Sequence, residues 1–166
     1  DPDYTSDLIK NIGTLPYDLK CATAYLLENP LLDKKTITKN VANKIKGKLF
    51  EQFSETNNIE KQQAWKILQY AAHLDPDFIS IEIFKELFPN NKDVLSRAIR
   101  KLELLSLIAI VSDKNGQTGL RVHRELQKET KYSSQYHPNH TISDEEINNN
   151  LLSTLDRLFP TIRNIN

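Results

Sequence analysis

Apolar residues recur with helical spacing over residues 92–105, and the pattern changes directly afterwards. An apolar run rich in β-branched residues follows at 107–111, then polar turn residues at 112–119, then an apolar–polar alternation at 120–123. Helical spacing predicts an amphipathic helix, whereas the short runs around a turn predict a β-hairpin. The predicted helix would bury one stripe of side chains: Val94, Leu95, Ala98, Ile99, Leu102 and Leu105.

Two further helices are predicted before this hairpin, at 59–74 and 79–88, the second with Ser80 as its N-cap. The first would place Trp65 beside an inward face made of Ala64, Ile67, Leu68, Ala71 and Ala72. A short charged helix is predicted at 125–132 and a loop at 133–141. Three helices followed by a hairpin are the plan of a winged helix, so residues 59–132 predict a winged-helix domain.

Flanking segments complete a mainly α fold with a small β-hairpin. Residues 1–53 predict a small helical domain with helices at 17–28 and 36–53, separated from the winged helix by a polar linker at 54–58. Residues 142–166 predict a C-terminal helical spacer with Ser143 as its N-cap. The predicted stripe of the 17–28 helix is Leu19, Ala22, Thr23, Leu26 and Leu27, and that of the spacer is Leu151, Leu152, Leu155 and Leu158.

The amino-acid composition limits the classes of protein to which this chain could belong. Lys and Arg together number 22, as do Asp and Glu, so no net charge draws the chain to nucleic acid or to an anionic membrane. A single cysteine excludes an internal disulfide and indicates a reducing, cytoplasmic location. No apolar run approaches the ~20 residues of a membrane span. A chain without Met is expected to be a piece of a longer protein.

Catalytic and metal-binding signatures are missing from the sequence. Neither G-x-x-x-x-G-K-[ST] nor G-x-G-x-x-G occurs, so we expect no phosphate-binding loop and no enzymatic activity from this chain alone. His137 and His140 have a spacing that a metal could use, but no cysteine or carboxylate completes a zinc set. Cys21 lies on the apolar side of a predicted helix, where a thiol is usually inert. No catalytic residue and no metal site are therefore predicted.

Nucleic-acid binding is one alternative, because the third helix of many winged helices enters the major groove. Arg97, Arg100 and Lys101 would line the outward side of that helix. Two cations on the hairpin, Lys114 and Arg121, could add phosphate contacts, but carboxylates share both elements: Asp93, Glu103 and Asp113. A dedicated DNA-binding domain normally has a clearer basic footprint, so a solvated helix face competes with this interpretation.

His123 is the residue that invites a functional role. It ends the predicted return strand and precedes a helix that begins at once. At that position the imidazole could donate a hydrogen bond to an anionic ligand, assisted by the helix N-terminus. The other possibility is that His123 only satisfies a backbone group at the end of the strand.

Three segments in order resemble NB-ARC proteins, which are signal-transduction ATPases of the STAND class. The first is residues 13–19 (GTLPYDL) followed by 22–26 (ATAYL), which are similar to the G-G-L-P-L-A-L and A-A-A-Y-I segments of the family. The second is the winged unit at 64–122. The third is residues 122–127 (VHRELQ), which look like the M-H-R-L-V-Q form of the family's M-H-D motif. Residues 143–160 are similar to the helical spacer that precedes tetratricopeptide repeats in such proteins.

The resemblance implies a regulatory module of a nucleotide switch. In the family, ADP is bound mainly by a P-loop domain immediately upstream, so Pro16 would contact the adenine and His123 the β-phosphate. Exchange of ADP for ATP would release the winged helix and permit oligomerisation and signalling through downstream helical repeats or an effector domain. The chain departs from the family at Thr14, Tyr17, Asp18 and Arg124. The alternatives are a nucleic-acid-binding winged helix and a protein-interaction scaffold.

Overall fold

A computed structural model describes residues 16–31, 51–53, 57–136 and 141–160, without the side chains of 16–18 and 133–136. These residues form a mainly helical fold with a small three-stranded antiparallel sheet. The elements in chain order are α1 (Pro16–Glu28), α2 (Ile59–Ala71), β1 (Ile79–Ser80), α3 (Ile81–Leu87), α4 (Lys92–Leu104), β2 (Ile108–Ser112), β3 (Thr118–Val122), α5 (Arg124–Tyr136) and α6 (Asp144–Leu158). The predicted helix at 36–53 is described only in its last three residues, which are helical, and His137 and His140 lie outside the described residues.

The sheet has the order β1–β3–β2, with both neighbouring pairs antiparallel. The predicted hairpin is confirmed: Ile110 pairs with Leu120 across it. The prediction that the 79–88 segment is helical throughout was wrong at its start, because Ile79 pairs with Leu120 and Ser80 with Gly119. A two-residue strand leaves no alternating pattern for the sequence to reveal.

Residue Ser80 does cap α3 as predicted, since its hydroxyl accepts a hydrogen bond from the Glu82 backbone N–H at 3.4 Å. The strand β1 and the cap of α3 therefore share one residue. This sharing places α3 immediately beside the sheet.

The hydrophobic core lies where α2 and α4 pack on each other and on the sheet. The stripe predicted for α4 is confirmed, because its members are buried apart from Val94, which is half-buried. Trp65 of α2 is fully buried, together with every residue of the inward face predicted for that helix. Phe84 of α3 and Leu126 of α5 close the core from two further elements.

The stripe predicted for the first helix was partly wrong. In α1 the buried side chains are the small ones, Cys21, Ala22 and Ala24, whereas Thr23 and Leu27 are exposed. Small side chains let a helix backbone approach its neighbours closely. The apolar pattern pointed to the leucines because it weights large residues over small ones.

The last two helices also differ from the prediction. The loop expected at 133–141 is wrong over 133–136, because α5 continues to Tyr136. In α6, Ile147, Leu151 and Thr154 are buried against α3 and α2, whereas Leu152 is exposed. The predicted N-cap of α6 is confirmed: the Ser143 hydroxyl accepts a hydrogen bond from the Glu146 N–H at 3.2 Å.

A helix that crosses a membrane has to be both long and apolar. Among the helices that the structure describes, none is both long enough and apolar enough to cross a bilayer.

Candidate anion-binding cleft

A cleft of about 290 Å³ opens between α1 and the ends of the hairpin strands. Apolar walls come from Leu107, from the start of β2 at Ile108 and Ala109, and from Val122 of β3. The polar lining converges from four parts of the chain: Lys20 of α1, Asp77 before β1, Ser106, and the run Arg121, His123 and Arg124. Several sequence positions that are far apart thus meet around His123.

The local geometry of His123 is that of a helix cap. Its Nδ1 accepts a hydrogen bond from the Glu125 backbone N–H at 3.2 Å, and its carbonyl accepts one from the Gln127 N–H at 3.1 Å. His123 thus satisfies a backbone group at the start of α5. In a neutral imidazole that accepts through Nδ1, the ring N–H is on Nε2.

Cations outnumber carboxylates in the lining of this cleft. Among the described residues of the lining, the cations Lys20, Arg121 and Arg124 accompany one carboxylate, Asp77. The guanidinium of Arg124 lies 3.4 Å from the Asp77 carboxylate, and both side chains are about three-quarters exposed, so their attraction is weak. The cleft can therefore attract an anion although the whole chain is neutral.

Proline 16 begins α1, which agrees with the preference of proline for the first helical turn. Its side chain is not described, but Lys20, one turn further along the same helix, lines the cleft. The structure thus places α1, which begins at the predicted site residue Pro16, beside the cleft that contains the other predicted site residue, His123. The sequence did not single out Lys20, because its place beside His123 depends on how α1 packs against the hairpin.

The three cations of the nucleic-acid alternative lie outside this cleft. Arg97 forms an ion pair with Glu60 at 2.6 Å, and Lys101 forms one with Glu28 at 2.7 Å. Arg100 has no carboxylate partner among the residues that the structure describes, and it lines a separate groove.

The carboxylate of Glu28 is largely buried and also contacts Lys61 at 2.7 Å. Burial alone would raise its pKa, but hydrogen bonds and the charges of Lys101 and Lys61 outweigh burial and hold the pKa of Glu28 below its ordinary value. The Glu28 carboxylate therefore joins α1 to α2 through Lys61 and to α4 through Lys101. Lys101 consequently contributes little positive charge to an outward basic face.

Metal and nucleophile sites were not expected. Within the described ranges no three potential ligand side chains cluster around a possible ion, while the H-P-N-H segment lies outside those ranges. Cys21 is fully buried.

Comparison with known proteins gave no match among family models, curated proteins or solved structures. The cleft and the residues that line it are therefore the basis for inferring a function.

Proposed function

We propose that this chain is the helical plus winged-helix regulatory module of a STAND-type NTPase. It would distinguish ADP from ATP held by an upstream P-loop domain, and pass the difference on to oligomerisation and signalling. The arrangement of α2, α3 and α4 around a three-stranded sheet supports the winged-helix part of the proposal. On this proposal the module works in a reducing, cytoplasmic setting.

The observation that carries the proposal is the cationic lining around His123. Phosphate groups prefer sites where cations and N–H donors converge, and Lys20, Arg121 and Arg124 meet the His123 imidazole in one cleft. A volume of about 290 Å³ is at the lower limit of small-molecule pockets. The cleft therefore suits the phosphate portion of a nucleotide, with the remainder bound by the upstream domain and the adenine near Pro16.

The position of the cleft suits a switch. Lys20 belongs to α1, whereas His123 belongs to the junction of β3 and α5. An anion that contacts both would hold α1 against the sheet, and its loss would weaken that attachment. A ligand shifts such an equilibrium only through contacts that differ between the two states, and a phosphate shared by two elements provides such a contact.

Nucleotide release from the parent protein tests the proposal. We expect His123→Ala and Lys20→Ala each to speed ADP dissociation roughly tenfold, because each removes one charge-assisted phosphate contact. The matched control is Lys114→Ala, since Lys114 lies exposed in the hairpin turn outside the cleft lining. Release of fluorescent ADP after stopped-flow mixing gives the rate. Unchanged release in both cleft variants would refute the assignment.

Duplex binding distinguishes the nucleic-acid alternative. The pairing of Lys101 with the largely buried Glu28 counts against a basic face on α4, so we expect at most weak, salt-sensitive binding. Anisotropy of a labelled duplex at two salt concentrations measures this. Tight binding that is lost in Arg100→Ala would favour the nucleic-acid function over the nucleotide switch. A scaffold would show neither duplex binding nor any effect of His123→Ala beyond local stability.

A further inference from the structure

A second depression, here called the α4 groove, lies on another face of the molecule and plays no part in the proposed switch. It is bounded by α3, α4 and β2 and has a volume of about 520 Å³. Its apolar floor is formed by Ile81, Leu95, Ile99 and Ile110. The polar residues along it are Lys85, Lys92, Ser96, Arg100 and Glu103.

The floor of the α4 groove includes apolar surface that the fold leaves open. Leu95 and Ile99 belong to the core, but Ile110 is 43% exposed on β2, which is an edge strand of the sheet. Ile81, at the start of α3, is half-buried. An apolar patch with a polar rim is typical of a surface that binds another protein.

The charge of the rim indicates the chemistry of the partner. Within the part of the lining that the structure describes, Lys85, Lys92 and Arg100 accompany one carboxylate, Glu103, although the whole chain is neutral. Lys85 is paired with Glu82 at 2.7 Å, but both side chains are about half exposed, and such a pair exchanges readily for another carboxylate. The groove is thus apolar at its floor and cationic at its rim.

We propose that the α4 groove binds an acidic amphipathic helix of a partner protein. The lining residues of α4 extend from Lys92 to Glu103, about three helical turns or roughly 16 Å. A partner helix of that length can place apolar side chains at i, i+3 and i+7 on the floor and carboxylates beside the rim cations. A duplex fits less well, because the floor is apolar and the neighbouring cation Lys101 is paired with the largely buried Glu28 carboxylate.

The test uses a fluorescein-labelled peptide of about 15 residues with leucines at helical i, i+3, i+4 and i+7 spacing and glutamates elsewhere. Fluorescence anisotropy measures its binding to the whole chain. Two control peptides keep the composition in scrambled order or replace every glutamate by lysine. The groove variants are Arg100→Glu and Ile110→Glu, and Lys114→Glu is matched to the first because it makes the same charge change in the hairpin turn.

We expect each groove variant to weaken binding of the acidic peptide at least about tenfold, while Lys114→Glu changes it less than about twofold. Because both substituted side chains are exposed, circular dichroism should show unchanged folding. Equal binding of the scrambled or lysine peptide, or equal binding by the groove variants, would overturn the proposal. So would displacement of the peptide by a DNA duplex at a lower concentration than unlabelled peptide requires.

Discussion

Ser106, between α4 and β2, has a backbone conformation that side chains normally avoid. Its φ is 56°, in the left-handed region, and it follows the last turn of α4. The Ser106 N–H donates to the Glu103 carbonyl at 2.8 Å, and the Leu107 N–H donates to the Leu102 carbonyl at 3.0 Å. These two bonds form a Schellman motif, in which glycine is the usual residue. The serine therefore carries a local strain.

Replacing Ser106 by glycine should stabilise the protein by about 0.5–1 kcal/mol, because relief of left-handed strain exceeds the entropy that glycine adds to the unfolded chain. Urea unfolding measures the change. The control is Ser96→Gly, an exposed position inside α4, which should destabilise by about 1 kcal/mol. Destabilisation by both substitutions would contradict the strain argument.

Gly119 has a different constraint, because a Cβ atom there would collide with the ring of Phe78. Gly119→Ala should therefore destabilise by about 1–3 kcal/mol, since the ring has to move. The same substitution in a Phe78→Ala background should cost clearly less, because the obstacle is gone. A double-mutant cycle from thermal unfolding checks this coupling. Equal costs in the two backgrounds would mean that the ring is not the cause.

At the scale of elements, a polar side chain of α5, Gln127, caps the C-terminal end of α2. The Gln127 amide donates to the Ala71 carbonyl at 2.7 Å and to the Leu74 carbonyl at 2.9 Å. Carbonyls at the end of a helix lack partners within the helix, so Gln127 completes the C-terminus of α2 from outside. The two helices are held together by a polar contact as well as by Leu126 in the core.

Removing this contact should loosen the packing of α5. Gln127→Met keeps the length of the side chain but removes the donor of the Leu74 carbonyl and one of the two donors of the Ala71 carbonyl, which keeps the Leu74 N–H. We therefore expect a loss of about 1–3 kcal/mol in unfolding free energy. Lys128→Met, at the exposed neighbouring position, should change stability by less than about 0.5 kcal/mol. Similar losses in the two variants would show that the cap contributes nothing specific.

Elements with long amphipathic patterns could be predicted from the sequence, whereas short or contact-dependent features could not. The buried face of α4 could be predicted, because several large apolar side chains recur there at 3.6-residue spacing. In α1 the small residues Cys21 and Ala24 pack inward, and Leu27 does not. Strand β1 exists only because β3 lies beside it, and the tertiary partner is invisible in a local pattern.

The candidate site was predictable to a similar extent. His123 could be singled out because a histidine between a strand and a helix has a nearby helix N-terminus. Lys20 could not, because its approach to His123 depends on how α1 packs against the hairpin. Local spacing places Arg97 and Lys101 on one face of α4. Their ion-pair partners, Glu60 and Glu28, belong to other helices, so the sequence pattern cannot show these ion pairs.

For the molecule as a whole, acid should weaken the attachment of α1. The pKa of Glu28 is lowered in the folded state, so its contribution to stability is present above its unfolded pKa and is lost as pH falls through the folded value. In Glu28→Gln we therefore expect a shallower decline of stability below about pH 4.5 and a loss of about 1–3 kcal/mol at pH 7. Unfolding in urea at a series of pH values measures both effects. An unchanged acid slope would show that Glu28 does not carry this linkage.

His73 should produce a second pH dependence, near neutrality, at the contact between α2 and α6. Its Nε2 lies 3.3 Å from the Asp144 carboxylate. Burial, with help from the charge of Lys131, lowers the pKa of His73, and the opposing attraction of Asp144 is too weak to restore it. The unfolded chain then binds the proton more readily, so stability is complete above about pH 6.5 and falls as pH drops below that value.

Replacing His73 by glutamine should remove this part of the pH profile, which for one proton cannot exceed about 1.4 kcal/mol per pH unit. Two charge variants should move the remaining dependence in opposite directions. Lys131→Gln removes a repulsive cation and should flatten the slope, whereas Asp144→Asn removes the attractive carboxylate and should steepen it. Urea unfolding between about pH 5 and 8 measures all three. If both charge variants shift the slope in the same direction, the dependence arises elsewhere in the molecule. If they oppose each other, protonation of His73 is a direct means by which mild acid loosens α6 from α2.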